Sequence, residues 1–158
     1  MWRLALFFAL TCAAHAEDLV GKRVPPFPAG MEEDGGLCIT LAERDPCRRT
    51  MAALKDATGK KILIYATVTN GADERGRRLG LITDVMPYPE LRKGHHLEWG
   101  VCRHDRVEDG TVVTVVKDSK RAWLKAVGWA YRVDDPSGKF VKLDPKRVDC
   151  TNTAPDAD

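Results

Sequence analysis

Past its first forty residues the chain alternates between two rhythms of apolar and polar positions, and each rhythm predicts an element. From Lys61 to Thr69 a period of two runs through Ile62, Ile64, Ala66 and Val68 on one side and Leu63, Tyr65, Thr67 and Thr69 on the other, which predicts a central strand apolar on both faces. A second strand is expected from Leu79 to Met86, after a polar and basic loop over 70–78, and Pro87-Tyr88-Pro89 stops it. Leu97, Trp99 and Val101 alternate in the stretch His96 to Arg103, and a turn at Glu108-Asp109-Gly110 leads into the valine-rich Thr111 to Lys117, so these two stretches are expected to form a hairpin. Trp129 to Val133 alternates again, turns through Asp134-Asp135-Pro136-Ser137-Gly138 and returns as Lys139 to Leu143, a second hairpin.

Two stretches carry the helical rhythm instead. Asp45 can cap, Pro46 suits the first helical position and Gly59 can close the far end, while Cys47, Met51, Leu54 and Thr58 fall along one face. Trp123, Leu124, Val127, Ala130 and Tyr131 also fit one helical face, which predicts a short helix over roughly 119–127, with Gly128 unfavourable at its end. The expected fold class is therefore α+β: a mostly antiparallel sheet of five or six strands with one or two short helices and two disulfides.

The ends of the chain change this picture. Residues 1–16 open on Arg3, run through the wholly apolar Leu4 to Leu10 and close on Ala14-His15-Ala16, the layout of a cleavable secretory signal peptide, with Glu17 as the expected mature N-terminus. That apolar run is too short to span a bilayer, and no membrane span is expected in the mature chain. Residues 17–36, interrupted by Pro25, Pro26, Pro28, Gly30, Gly35 and Gly36, are expected to form an extended N-terminal arm; 37–150 is expected to be one globular domain and 151–158 a flexible tail.

Export bears on the cysteines. Cys12 falls in the leader, and the four that remain, Cys38, Cys47, Cys102 and Cys150, are an even set in an oxidising compartment, so two disulfides are expected. Three pairings are possible; the simplest joins Cys38 to Cys47 as a short local loop and Cys102 to Cys150 as a tie between the tail and a central strand. The compartment implied is the periplasm or the exterior.

Composition and motifs narrow the chemistry. With 25 basic and 23 acidic residues the charge is nearly balanced, which disfavours a general nucleic-acid binder. Ser119 and Ser137 are the only serines and neither sits in a nucleophile elbow; Cys-x-x-Cys and a glycine-rich phosphate loop are both missing. No catalytic residue and no cofactor is assigned. Candidate partner-binding residues are Arg77, Arg78 and Arg92 around Tyr88, a ring held between two prolines that suits either an aromatic contact or a plug at the core edge. His95, His96 and His104, near Cys102, have metal-ligand character and form a weaker alternative site for zinc or copper. Glu90, Glu98, Asp105, Glu108 and Asp109 leave a small carboxylate enzyme as a further alternative, although no spacing selects two of them.

In layout alone, a leader followed by a disulfide-bonded, β-rich domain, the chain resembles the small periplasmic inhibitors and immunity proteins of Gram-negative bacteria. That resemblance implies a binding protein of the cell envelope acting on a protein or another envelope macromolecule.

Overall fold

Strand-forming segments from Met31 to Pro87 pair in sequence order, those that follow do so only in part, and the result is a molecule of strands. In a computed structural model of the chain, the structure describes residues 16–40 and 47–153. The leader up to His15, the expected helix-start residues Asp45 and Pro46, and the end of the tail from Ala154 lie outside the described residues.

The first sheet holds β1 (Arg23–Val24), β2 (Met31–Ile39), β3 (Arg49–Asp56), β4 (Lys61–Ala72) and β5 (Arg78–Pro87) in the order β1-β5-β4-β3-β2. The second holds β6 (His95–Trp99), β7 (Cys102–His104), β8 (Val107–Glu108), β9 (Val112–Lys117), β10 (Trp123–Asp134), β11 (Lys139–Lys142) and β12 (Val148–Thr151). Its order is β6-β9-β10-β12-β7-β8, with β11 paired to β10. All strand pairs are antiparallel, and the only helical turns among the described residues are the 3-10 turns Ala16–Leu19 and Pro145–Arg147. The α+β expectation is therefore corrected: the protein is all-β, built on two sheets.

Both expected helices are strands, for different physical reasons. Residues 49–56 form β3, buried on both faces: Met51 and Ala53 enter the cluster between the sheets, whereas Ala52 and Leu54 enter the cluster on the outer face. A short strand buried on both sides reads as an unbroken apolar run, which periodicity cannot separate from a helix. Gly59 belongs to the β3–β4 turn, where the Asp56 carboxylate accepts from the Thr58 N–H at 2.8 Å, the Thr58 hydroxyl at 2.6 Å and the Lys60 N–H at 3.0 Å. The Thr58 hydroxyl and these backbone donors hold the Asp56 carboxyl below its usual range.

The segment expected as a helix over 119–127 leads into and forms the start of β10. There Ala126 pairs with Val116 and Ala130 with Thr114, so three residues of β10, Val127 to Trp129, oppose Val115 alone on β9. The bulge carries Gly128 at φ +71°, a left-handed conformation that glycine adopts without a Cβ clash. The inserted residues spread Leu124, Val127 and Ala130 into the spacing of a helix.

Three apolar clusters hold the sheets. Between them lie Met51, Leu63, Tyr65 and Ile39 from the first sheet and Val113 and Val133 from the second. Tyr65 is buried there and its phenol pKa is pushed up to about 12 by the loss of water. Leu19, Val24, Phe27 and Met31 cover part of the outer face of the first sheet over Ala52, Ile64 and Ile82. The third cluster joins Val112, Val116, Leu124, Val148, Cys102 and Cys150. Polar links also cross between the sheets: Arg49 donates to Asp135 at 2.5 Å, and the Asp84 carboxylate accepts the Phe140 N–H at 2.8 Å.

The disulfides are Cys38–Cys47 and Cys102–Cys150, and the second joins residues directly opposite each other on β7 and β12. Two such bonds are characteristic of an oxidising, extracytoplasmic compartment. No helix among the described residues is long and apolar enough to cross a membrane.

Candidate functional site

The bulge of β10 leaves a groove on the surface of the second sheet. On one side of Val127 a depression of about 300 Å³ is bounded by Arg92, His95, Val115 and Trp129. On its other side a second depression of about 400 Å³ is bounded by Lys117, Arg121, Trp123 and Lys125. Val127 lines both and is 43% exposed, a large apolar side chain at the centre of the groove with cations on either hand. Arg92, Lys117, Arg121 and Lys125 face the groove against Glu90 and Asp118, so its lining is net positive.

The groove walls are fixed by identifiable contacts. Trp129 lies 4.8 Å, centroid to centroid, from Tyr131 and packs on the cluster between the sheets. Trp123 carries the Arg103 guanidinium 3.4 Å from its ring centroid, and the Asp149 carboxylate accepts two hydrogen bonds from that guanidinium. The Asn152 amide donates to the Ser119 and Arg121 carbonyls at 2.9 and 3.1 Å, which pins the loop before Trp123. Asp118 and Glu98 lie 2.6 and 3.0 Å from the two ring nitrogens of His96, tying the same loop to β6. Parts ordered in this way would cost any ligand of the groove less entropy to bind.

The hydrogen bond from Arg103 holds the Asp149 carboxyl below its usual range, with Lys125 adding a smaller effect. A carboxylate whose folded pKa is depressed contributes stability above the unfolded value near 3.9 and loses it as pH falls towards the folded value. Asp149→Asn is accordingly expected to lower the melting temperature at pH 7, and the gap from the native sequence should close as melting is followed below about pH 4. A gap that stays constant through that range would show that the ion pair does not set it.

The residues singled out from the sequence are not gathered in one place. Arg92 and His95 meet in the groove. Arg77 and Arg78 lie at the other end of β5, a separation along the strand of about 30 Å. Arg77 is paired with Asp73 at 2.8 Å in the β4–β5 turn. Tyr88 packs on the cluster between the sheets with the Lys61 ammonium 5.2 Å from its ring centroid, and burial raises its phenol pKa. Tyr88→Ala is thus expected to cost about 2 kcal/mol of stability, measurable by urea melting; a cost near zero would return Tyr88 to the surface.

The histidines also separate. His95 Nδ1 lies 3.2 Å from the Lys93 carbonyl, His96 is held by the two carboxylates, and His104 Nε2 on β7 is 3.8 Å from Asp105. No group of three or more His, Cys, Asp or Glu suited to a metal ion occurs among the described residues. Of the carboxylates considered for acid and base roles, Asp105 is paired with Arg147 and Asp109 binds the Thr111 hydroxyl and N–H, while Glu90 lines the groove.

Sequence reasoning placed Trp123 and Trp129 in periodic apolar segments and did not name them, Val127, Lys117 or Lys125 as site residues. The usable signal was Gly128 inside an apolar, periodic run, a mark of a bulge in a strand.

The fold and site define an all-β, two-sheet, disulfide-bonded domain with a preorganised basic and aromatic groove. No protein-family model, curated protein or solved structure matches the chain.

Proposed function

We propose that the chain is an exported binding protein of the cell envelope that acts on another protein, as an inhibitor or immunity-type protein does, and that it contacts this partner through the β10 groove. The observation that carries the proposal is the half-exposed Val127 flanked by Trp123, Trp129 and the groove cations. Tryptophan and arginine dominate the energetics of protein interfaces, and an apolar centre ringed by charge is the arrangement that excludes water there. The net positive lining favours a partner surface that presents acidic residues around an apolar one.

Export supports the same reading. The two disulfides suit a chain that folds outside the cytoplasm, with the leader removed before Glu17. The intact mass of the exported chain, starting at Glu17, checks the first half of the proposal, and a chain found only at full length in the cytoplasm would contradict it. Partner capture by the native domain and by Val127→Asp checks the second half.

A further inference from the structure

A second concavity lies on the other sheet, on the face away from the second sheet. The cover over that face is incomplete. Between the wall made by Val24, Pro25 and Phe27 and the strand β2, a cleft of about 300 Å³ stays open, with Ala52 and Ile64 in its apolar floor. That volume is at the small end of the range of small-molecule sites.

Glycine keeps the floor low at both ends. A Cβ on Gly36 would stand 3.0 Å from the Met51 carbonyl oxygen and 3.1 Å from Glu33 Oε1, and one on Gly80 would stand 3.2 Å from the Ala66 Cβ. The Glu33 carboxylate therefore lies close over Gly36, within the cleft lining. Arg78 lines the cleft beside Gly80.

Glu33 and Arg78 differ from the charged residues beside them. Asp34 is paired with Lys61 at 2.5 Å and Lys55 at 3.3 Å, Glu32 with Lys55 at 3.0 Å, and Arg77 with Asp73 at 2.8 Å. Among the described residues, neither Glu33 nor Arg78 makes an ion pair. The cleft thus carries an unpaired acceptor at one end, an unpaired donor fork at the other and an apolar floor between them. β2 and β5 stand three strand spacings apart, about 14 Å. Side chains reaching inward from both strands reduce this to roughly 10 Å, the length of about three extended residues.

We propose that this cleft binds a short zwitterionic peptide, with its terminal ammonium on Glu33, its terminal carboxylate on Arg78 and an apolar side chain over Ala52 and Ile64. A carboxylate accepts from an ammonium and cannot donate, whereas a guanidinium offers two parallel N–H groups to a carboxylate, so the two ends fix the direction of the chain. An anionic lipid would satisfy Arg78 and set its charge against Glu33. This site is separate from the β10 groove, and either assignment can fail without the other.

The test is an amide-shift titration of the 15N-labelled protein with the tripeptide alanyl-leucyl-alanine, its N-acetylated form and its C-terminal amide. The free tripeptide should give saturable shifts at Gly36, Ala52 and Gly80 at millimolar concentration, and either blocked form should bind at least about tenfold more weakly. Glu33→Gln should abolish the discrimination against the acetylated peptide alone, and Arg78→Gln the discrimination against the amide alone. Both positions are exposed, and the same spectra report whether each variant is folded. Absence of saturable shifts at these amides would overturn the proposal, as would equal binding of the free and blocked peptides or variants that keep the native discrimination.

Discussion

Replacing Cys102 and Cys150 together by alanine is expected to lower stability by roughly 3 to 4.5 kcal/mol, because the bond closes a long loop and its loss returns that conformational freedom to the unfolded chain. The sequence separation is 48 residues here, against 9 for Cys38 and Cys47. On loop length alone the shorter bond contributes less, about 2.5 kcal/mol. Burial widens the difference, since Cys102 and Cys150 are 3% and 0% exposed within the third cluster and their truncation also removes packing. A fall in melting temperature on the order of 10 °C is therefore expected for the Cys102/Cys150 double variant, and a distinctly smaller one for Cys38/Cys47. Equal losses, or the reverse order, would mean that loop closure and burial do not govern the contribution of these bonds.

The pairing of those cysteines was legible because four cysteines admit only three arrangements, and the strands β4, β5, β9 and β11 were legible because their alternation or bounding turns are plain. Hidden from sequence were the strands that break the simple period. β3 shows Met51, Ala52, Ala53 and Leu54 in succession because one sheet is packed on both faces, and Asp45, Pro46 and Gly59 supplied helix signals around it. β10 holds two extra residues in its bulge. The segment 17–36, read as an extended arm, supplies β1 and the first part of β2, since a bulge between Glu33 and Gly36 takes up one extra residue with a shift of register, and β2 goes on pairing with β3 beyond it.

The candidate groove was less legible than the fold. Arg92 and His95 were named, but the sequence offered no way to see that a bulge thirty residues further on would set Trp129 and Val127 beside them. Arg77, Arg78 and Tyr88 were grouped by proximity along the chain, and β5 separates them. An aromatic residue between prolines carries the same signature whether it faces a partner or, like Tyr88, packs on the cluster between the sheets.

Val127→Asp is expected to have the largest effect on binding. The side chain lies in the bulge, between the paired positions Ala126 and Ala130, and is 43% exposed, so an aspartate there is accommodated with little loss of stability. It removes the apolar centre of the groove and places a negative charge where an acidic partner would dock, two changes that both oppose binding. A loss of at least about 2 kcal/mol, near thirtyfold in affinity, is expected. Raising the salt concentration should slow association of the native protein, as screening weakens attraction to Arg92, Lys117, Arg121 and Lys125. The decisive measurement is affinity for a partner captured from a periplasmic extract and then purified, compared among the native protein, Val127→Asp and Arg77→Ala, with melting curves on each. Binding through the β10 groove predicts near-native affinity for Arg77→Ala and a loss of at least about thirtyfold for folded Val127→Asp; undiminished binding by Val127→Asp would contradict it.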